Sequence, residues 1–221
     1  MNGKLIVIEG LDGSGKSTQT ELIKERIIQS GSVVKQIKLP DYDSDSSALV
    51  KMYLGGCFGS DPKAVNTYAA SLFYTVDRFA NYTNVWKEDY LNGAVILADR
   101  YATSNAVHQM VKLEKDKWDE YLSWLEDIEY NKVAVPKPDV VIFLDMPVEV
   151  SQTLMTGRYN GEESRKDVHE ADVGYLKACH ESAMYASEKL GWFVVHCADG
   201  DSPRSIEDIN DEVFSIIKNY I

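Results

Sequence analysis

The sequence predicts an α/β fold, a five-stranded parallel sheet flanked by helices. Three observations lead there. Five short apolar runs, rich in isoleucine and valine, alternate with stretches of helical spacing, as buried parallel strands with helical crossovers do. The first run, Lys4 to Glu9, leads into Gly10-Leu11-Asp12-Gly13-Ser14-Gly15-Lys16-Ser17-Thr18, which carries the G-x-x-x-x-G-K-[ST] pattern of a phosphate-binding P-loop. The composition, 44% hydrophobic and 26% charged, is that of a globular chain rather than a disordered one.

Taken in order, the Lys4–Glu9 strand enters the P-loop, and Leu22, Ile23, Ile27 and Ile28 recur at helical spacing after it. Val33 to Leu39 reads as the second strand, closed by Pro40. The polar stretch Asp41 to Ser47 then caps a helix that begins near Ala48 and stops at Gly55-Gly56. A long helical pattern runs from about Ala64 to Leu91, with Leu72, Val76, Phe79 and Trp86 among its apolar positions. Gly93 breaks it before the third strand, Ala94 to Ala98, which ends in Asp99-Arg100. A helix follows Ser104, and another covers about Lys117 to Tyr130. Pro136 and Pro138 bracket a loop ahead of the fourth strand, Val140 to Leu144. Val148 to Met155 starts a helix. The polar, glycine-interrupted stretch from Thr156 to about 167 reads as a mobile lid. A long helix continues to Leu190, Trp192 to Cys197 is the fifth strand, and Ser205 to Tyr220 is a closing helix. At 221 residues, with no linker or internal repeat, the whole of 1–221 is expected to be one domain.

The P-loop states the chemistry most directly. Gly10, Gly13 and Gly15 leave backbone N–H groups open to phosphate oxygens, Ser14 and Thr18 flank them, and the following helix adds its positive dipole end. Lys16 would reach the outer phosphates of a bound nucleotide and the Ser17 hydroxyl would ligate Mg²⁺. Asp99, at the carboxyl end of a buried strand, stands where a second Mg²⁺-organising carboxylate belongs. Its other reading is a helix cap or a structural partner of Arg100. Arg100 offers a fork of donors suited to a phosphate. A GTPase is excluded, because the one Asn-Lys pair, Asn131-Lys132, continues as Val133-Ala134 and not as N-K-x-D.

The net charge of -12 disfavours nucleic acid and anionic membranes as partners. Three dispersed cysteines, Cys57, Cys179 and Cys197, give neither a disulfide framework nor a metal spacing, so a cytoplasmic location is expected. His108 and His169 read as hydrogen-bonded structural histidines rather than metal ligands. The N-terminus shows no secretory signal, and no apolar run approaches a membrane span.

Several motifs in sequence order carry a family likeness. They are Glu9-Gly10-Leu11-Asp12 into the P-loop, Pro40-Asp41-Tyr42, Tyr74-Thr75-Val76-Asp77-Arg78, Asp99-Arg100-Tyr101 with Ser104-Asn105, and Leu144-Asp145 with Pro147-Val148-Glu149-Val150. In this combination the chain resembles thymidylate kinases along nearly its whole length. The resemblance implies the P-loop nucleoside monophosphate kinase fold with a lid, ATP and Mg²⁺ as cofactors, and dTMP as acceptor. It implies that Tyr74 stacks on thymine, Arg78 donates to a thymine carbonyl and Asn105 meets the N3–H edge. Without the family, Tyr74 reads as core and Arg78 as a helix-surface salt bridge. Arg100, with Tyr42, would hold the dTMP phosphate, and Asp12 the sugar 3′-hydroxyl. One branch of the family carries a catalytic arginine inside the P-loop. Here that position is Gly13, so the resemblance points to the lid, with Arg158 and Arg165 as candidates and Lys166 behind them.

Two positions depart from the family pattern. His108 replaces an aromatic residue near the sugar 2′ position, and Leu39 replaces a phenylalanine beside the base. A homodimer through the long helices is also implied. The competing readings are a deoxynucleoside kinase, whose acceptor lacks a phosphate, and a non-catalytic nucleotide-binding regulator of the same fold.

Overall fold

The computed structural model describes residues 2–59, 61, 63–158 and 173–221. Five strands form one parallel sheet: β1 (Lys4–Gly10), β2 (Val34–Lys38), β3 (Val95–Asp99), β4 (Val140–Asp145) and β5 (Phe193–His196). Their order is β2-β3-β1-β4-β5, which puts the P-loop strand at the centre. Position explains composition. β1, β3 and β4 are buried on both faces and are almost uninterruptedly apolar, whereas the edge strands β2 and β5 are only partly buried and admit Lys35, Gln36 and His196. The expected five-stranded parallel α/β sheet is the one found.

Alternation along the strands sends side chains into two separate cores. Ile6, Ile8, Val95, Leu97, Ile142 and Leu144 pack against Ile23 and Ile27 of α1 (Lys16–Gln29) and Ile209, Val213 and Ile217 of α9 (Ile206–Ile217). Leu5, Val7, Ile96, Ala98 and Phe143 face the other way. They meet side chains from α5 (Thr103–His108), α6 (Trp118–Glu126) and α8 (Val173–Leu190), with Trp86 at the side.

The helices between these elements differ in detail from the expected ones. α2 (Ala48–Leu54) follows a short 3₁₀ turn capped by the Ser44 side chain. α3 (Thr67–Asn81) begins three residues later than expected, because the Asn66 side chain accepts from Ala69 N–H and fixes the start there. A π-helical turn, Tyr82–Trp86, then joins it to α4 (Lys87–Leu91). The extra residue in that turn rotates everything after it. Trp86 is therefore fully buried among Tyr82, Tyr90 and Tyr101, while Leu72, Val76 and Phe79 stay 41%, 54% and 47% exposed. A second π turn, Asp127–Lys132, extends α6. α7 (Val148–Arg158) leads towards the expected lid, which from residue 159 onward lies outside the described residues, as does Arg165. The hairpin of β6 (Ala198–Asp199) and β7 (Ser202–Pro203), two residues a strand, is too short to leave a period in the sequence.

Candidate active site

The carboxyl ends of β1, β2 and β3 lie at one edge of the sheet, and the segments leaving them line one cavity beside the P-loop. Two glycines show why the P-loop needs its sequence. A Cβ on Gly10 would lie 2.5 Å from Ser14 Oγ and 3.1 Å from the Leu144 carbonyl oxygen. Gly15 turns the chain into α1 at φ 86°, a left-handed conformation that costs other residues about 1–2 kcal/mol. Lys16 is buried and its Nζ donates to the Leu11 carbonyl at 2.8 Å, 3.9 Å from the Asp12 carboxylate. Burial, reinforced by the nearby Arg100 cation, lowers the Lys16 pKa to about 8, with Asp12, Asp99 and Glu9 pulling the other way.

Ser17 Oγ donates to Asp99 Oδ2 at 3.2 Å, so the two expected Mg²⁺ residues face each other across the start of α1. Both present hard oxygen atoms, the donor type that Mg²⁺ takes. Ser14 Oγ is buried without a hydrogen-bond partner among the described residues, an opening that a phosphate oxygen would satisfy. The loop thus fits a nucleotide phosphate with its metal. Thr18 is exposed beside Ser17, and Gly13 is half-buried at φ 79°.

Next to the loop lies a cavity of about 230 Å³. Its lining includes Asp12, Tyr42, Tyr74, Arg78, Arg100, Asn105 and His108, all seven residues that the family resemblance assigns to the acceptor. Arg100 occupies the end against the P-loop. Its Nη2 donates to Asp12 Oδ1 at 2.5 Å and its Nη1 lies 3.0 Å from His108 Nε2. It holds φ 69°, a left-handed conformation unusual for arginine. Burial pushes its pKa down, but Asp12, Glu9 and Asp99 outweigh this and hold the guanidinium charged. Burial likewise raises Asp12, yet Arg100, Lys16 and His108 together keep its carboxyl well below the usual range.

Tyr42 is exposed at the rim, and Tyr74 is half-buried with Tyr53 edge-on to its ring at 6.5 Å. Leu39 lies buried in the wall. Arg78 is in an ion pair, but a buried one rather than one on the helix surface. Nε and Nη2 donate to the two carboxylate oxygens of Glu129 at 2.9 and 2.6 Å. Asn105 is buried and donates to the Ser71 carbonyl at 3.5 Å. Arg158 ends α7, with its side chain outside the described residues.

Sequence reasoning passed over three groups. Glu9, fully buried, accepts from Thr103 Oγ1 at 2.6 Å, Ser104 Oγ at 2.9 Å and Tyr101 N–H at 3.2 Å, and so braces the turn carrying Arg100. Gln109 lines the cavity with Oε1 buried and unpartnered among the described residues. Its place four residues after Asn105, on one helix face, was the available signal. Glu129 left no signal, because its partner lies 51 residues away in sequence.

The model of the family described as "Thymidylate kinase" matches residues 8–212. The chain belongs to the thymidylate kinase family. It is 30% identical to the probable thymidylate kinase of Thermococcus gammatolerans over 99% of this chain and 98% of that one. It is 28% identical to the thymidylate kinase of Mycobacterium tuberculosis over 90% of this chain and 94% of that one. Among solved structures, the thymidylate kinase of Candida albicans superposes with a TM-score of 0.72 at 22% identity, covering 99% of this chain and 92% of that one. That last likeness speaks to the fold, and the fold is shared from end to end.

Proposed function

We propose that this member of the family transfers the γ-phosphoryl group of ATP to dTMP, giving dTDP for dTTP synthesis. The observation that carries the reading is the Asp12–Arg100 pair at 2.5 Å, where the P-loop and the acceptor cavity share a wall. A phosphate held by Arg100 faces the phosphates held by the P-loop, as in-line transfer requires. Lys16 exchanges the Leu11 carbonyl for donor phosphate oxygens, and Ser14 Oγ and the loop N–H groups take others. Ser17 and Asp99 would hold Mg²⁺, which would supply positive charge against the phosphate oxygens.

At the acceptor, Asp12 and His108 hold the Arg100 fork in place, so little ordering remains to be done on binding. Tyr42 closes the phosphate end, Asp12 takes the sugar 3′-hydroxyl, and Tyr74, Arg78 and Asn105 receive the base. The P-loop supplies no arginine at Gly13, so Arg158 or Arg165 provides the charge over the migrating group. The exposed Leu72, Val76 and Phe79 stripe on α3 serves a homodimer. The free thiols of Cys57, Cys179 and Cys197 suit a reducing cytoplasm.

Coupled ADP-release assays with dTMP, dUMP, dGMP and thymidine test the reading. Rapid turnover of dTMP is expected. Preference for thymidine would favour a deoxynucleoside kinase, and turnover of none would favour a regulator.

A further inference from the structure

Glu129 is fully buried and spends its whole carboxylate on two neighbours: Arg78 through Nε and Nη2, and Thr75 Oγ1 at 2.7 Å. Such a fork-to-fork pair fixes the plane and direction of the guanidinium. The Tyr101 ring lies 5.4 Å away and backs it. With Nε–H and one N–H of Nη2 given to Glu129, the guanidinium N–H groups that remain for the cavity Arg78 lines are all donors. Asn105, which lines the same cavity, gives one amide N–H to the Ser71 carbonyl at 3.5 Å and keeps its amide oxygen and second N–H. The wall therefore offers a fixed donor from Arg78, with the Asn105 amide as an acceptor in the same cavity. A pyrimidine edge that meets an all-donor guanidinium and the oxygen of an amide presents a carbonyl and a ring N–H. Thymine and uracil have such an edge. Cytosine presents an amino group beside a bare ring nitrogen, the reverse order, and would leave buried donors and acceptors unpaired.

We infer that Glu129, acting through Arg78, sets this hydrogen-bond polarity and is the positioning residue that separates 4-oxo from 4-amino pyrimidine monophosphates; this rests on the dTMP reading above. Replacing its carboxylate by an amide substitutes one acceptor and one donor for two acceptors, so the fork is no longer matched and the guanidinium loses its fixed direction.

The test compares steady-state kinetics of the full chain and its Glu129→Gln, Arg78→Ala and double variants with dTMP, dUMP and dCMP. For Glu129→Gln, KM for dTMP should rise about tenfold or more and the dTMP-to-dCMP preference narrow by a similar factor. KM for ATP should stay within about twofold and the dTMP-to-dUMP ratio should hold, since both bases share the edge being read. In the double variant the dTMP-to-dCMP preference should match that of Arg78→Ala alone. An unchanged dTMP-to-dCMP ratio in Glu129→Gln, or a parallel rise in KM for ATP, overturns the inference. If Glu129→Gln does not fold, Thr75→Val removes one of the carboxylate's hydrogen bonds and should narrow the same ratio by about threefold. An unchanged ratio there overturns the inference equally. Wild-type protein that ignores dTMP would instead bring down the functional reading, so the two failures are distinguishable.

Discussion

Lys16 is a buried cation whose pKa falls to about 8 because burial and Arg100 both disfavour its charge. In its proposed role at the nucleotide phosphates, Lys16 acts in the charged form. Below pH 8 the lysine already carries its proton. Above it, binding must take a proton up, and ATP affinity should fall by up to about tenfold per pH unit. Calorimetry in two buffers of different ionisation enthalpy is expected to show little proton uptake at pH 7 and nearly one proton at pH 9; no uptake at pH 9 would contradict this. With Arg100 assigned to the acceptor as proposed, Arg100→Ala should weaken dTMP binding by about 10- to 100-fold while leaving ATP affinity nearly unchanged. Undiminished dTMP affinity would refute its assignment. The placement of Lys16, Ser17 and Asp99 together was legible in the sequence because the motif and the strand end are local patterns. Glu9 and Glu129 were not, because each braces the site through partners that lie 92–95 and 51–54 residues away, a pairing only the fold creates.

Strands were read more closely than helices, since buried apolar runs mark their own ends within a residue or two. The long pattern after Ala64 is a helix, a π turn and a second short helix, and the inserted residue breaks the period by which faces are judged. Caps, by contrast, can be tested singly. Ser205 accepts from Asp208 N–H at 3.0 Å at the start of α9, and Ser205→Ala should cost about 1 kcal/mol. For a chain of this size that lowers Tm by about 2–4 °C in calorimetry. The segment after α7 carries a different prediction. If Arg158 or Arg165 acts only at the transition state, the double alanine variant should lose about a thousandfold in kcat while dTMP and ATP affinities hold. Near wild-type kcat would move the role elsewhere, with Lys166 the first residue to try.

At the scale of the whole molecule, α3 presents two distinct faces. Tyr74 and Arg78 line the cavity, while Leu72, Val76 and Phe79 face outward. Covering that stripe with a second copy predicts that Val76→Asp shifts sedimentation from dimer to monomer without loss of helix content; a wild-type monomer would exclude it. The sheet order has a further consequence, for the growing chain rather than the finished one. β1 is made first, yet its two neighbours are β3 and β4, at residues 95–99 and 140–145. Roughly 7 to 26 s of translation, at about 5–20 residues per second, separate the end of β1 from the arrival of β4. Through that interval the apolar run Leu5 to Ile8 has at least one unpaired edge, a template for other chains. A ribosome stalled before Val140 therefore holds an aggregation-prone half-sheet, and such nascent chains should be strong clients for chaperones that bind extended apolar segments.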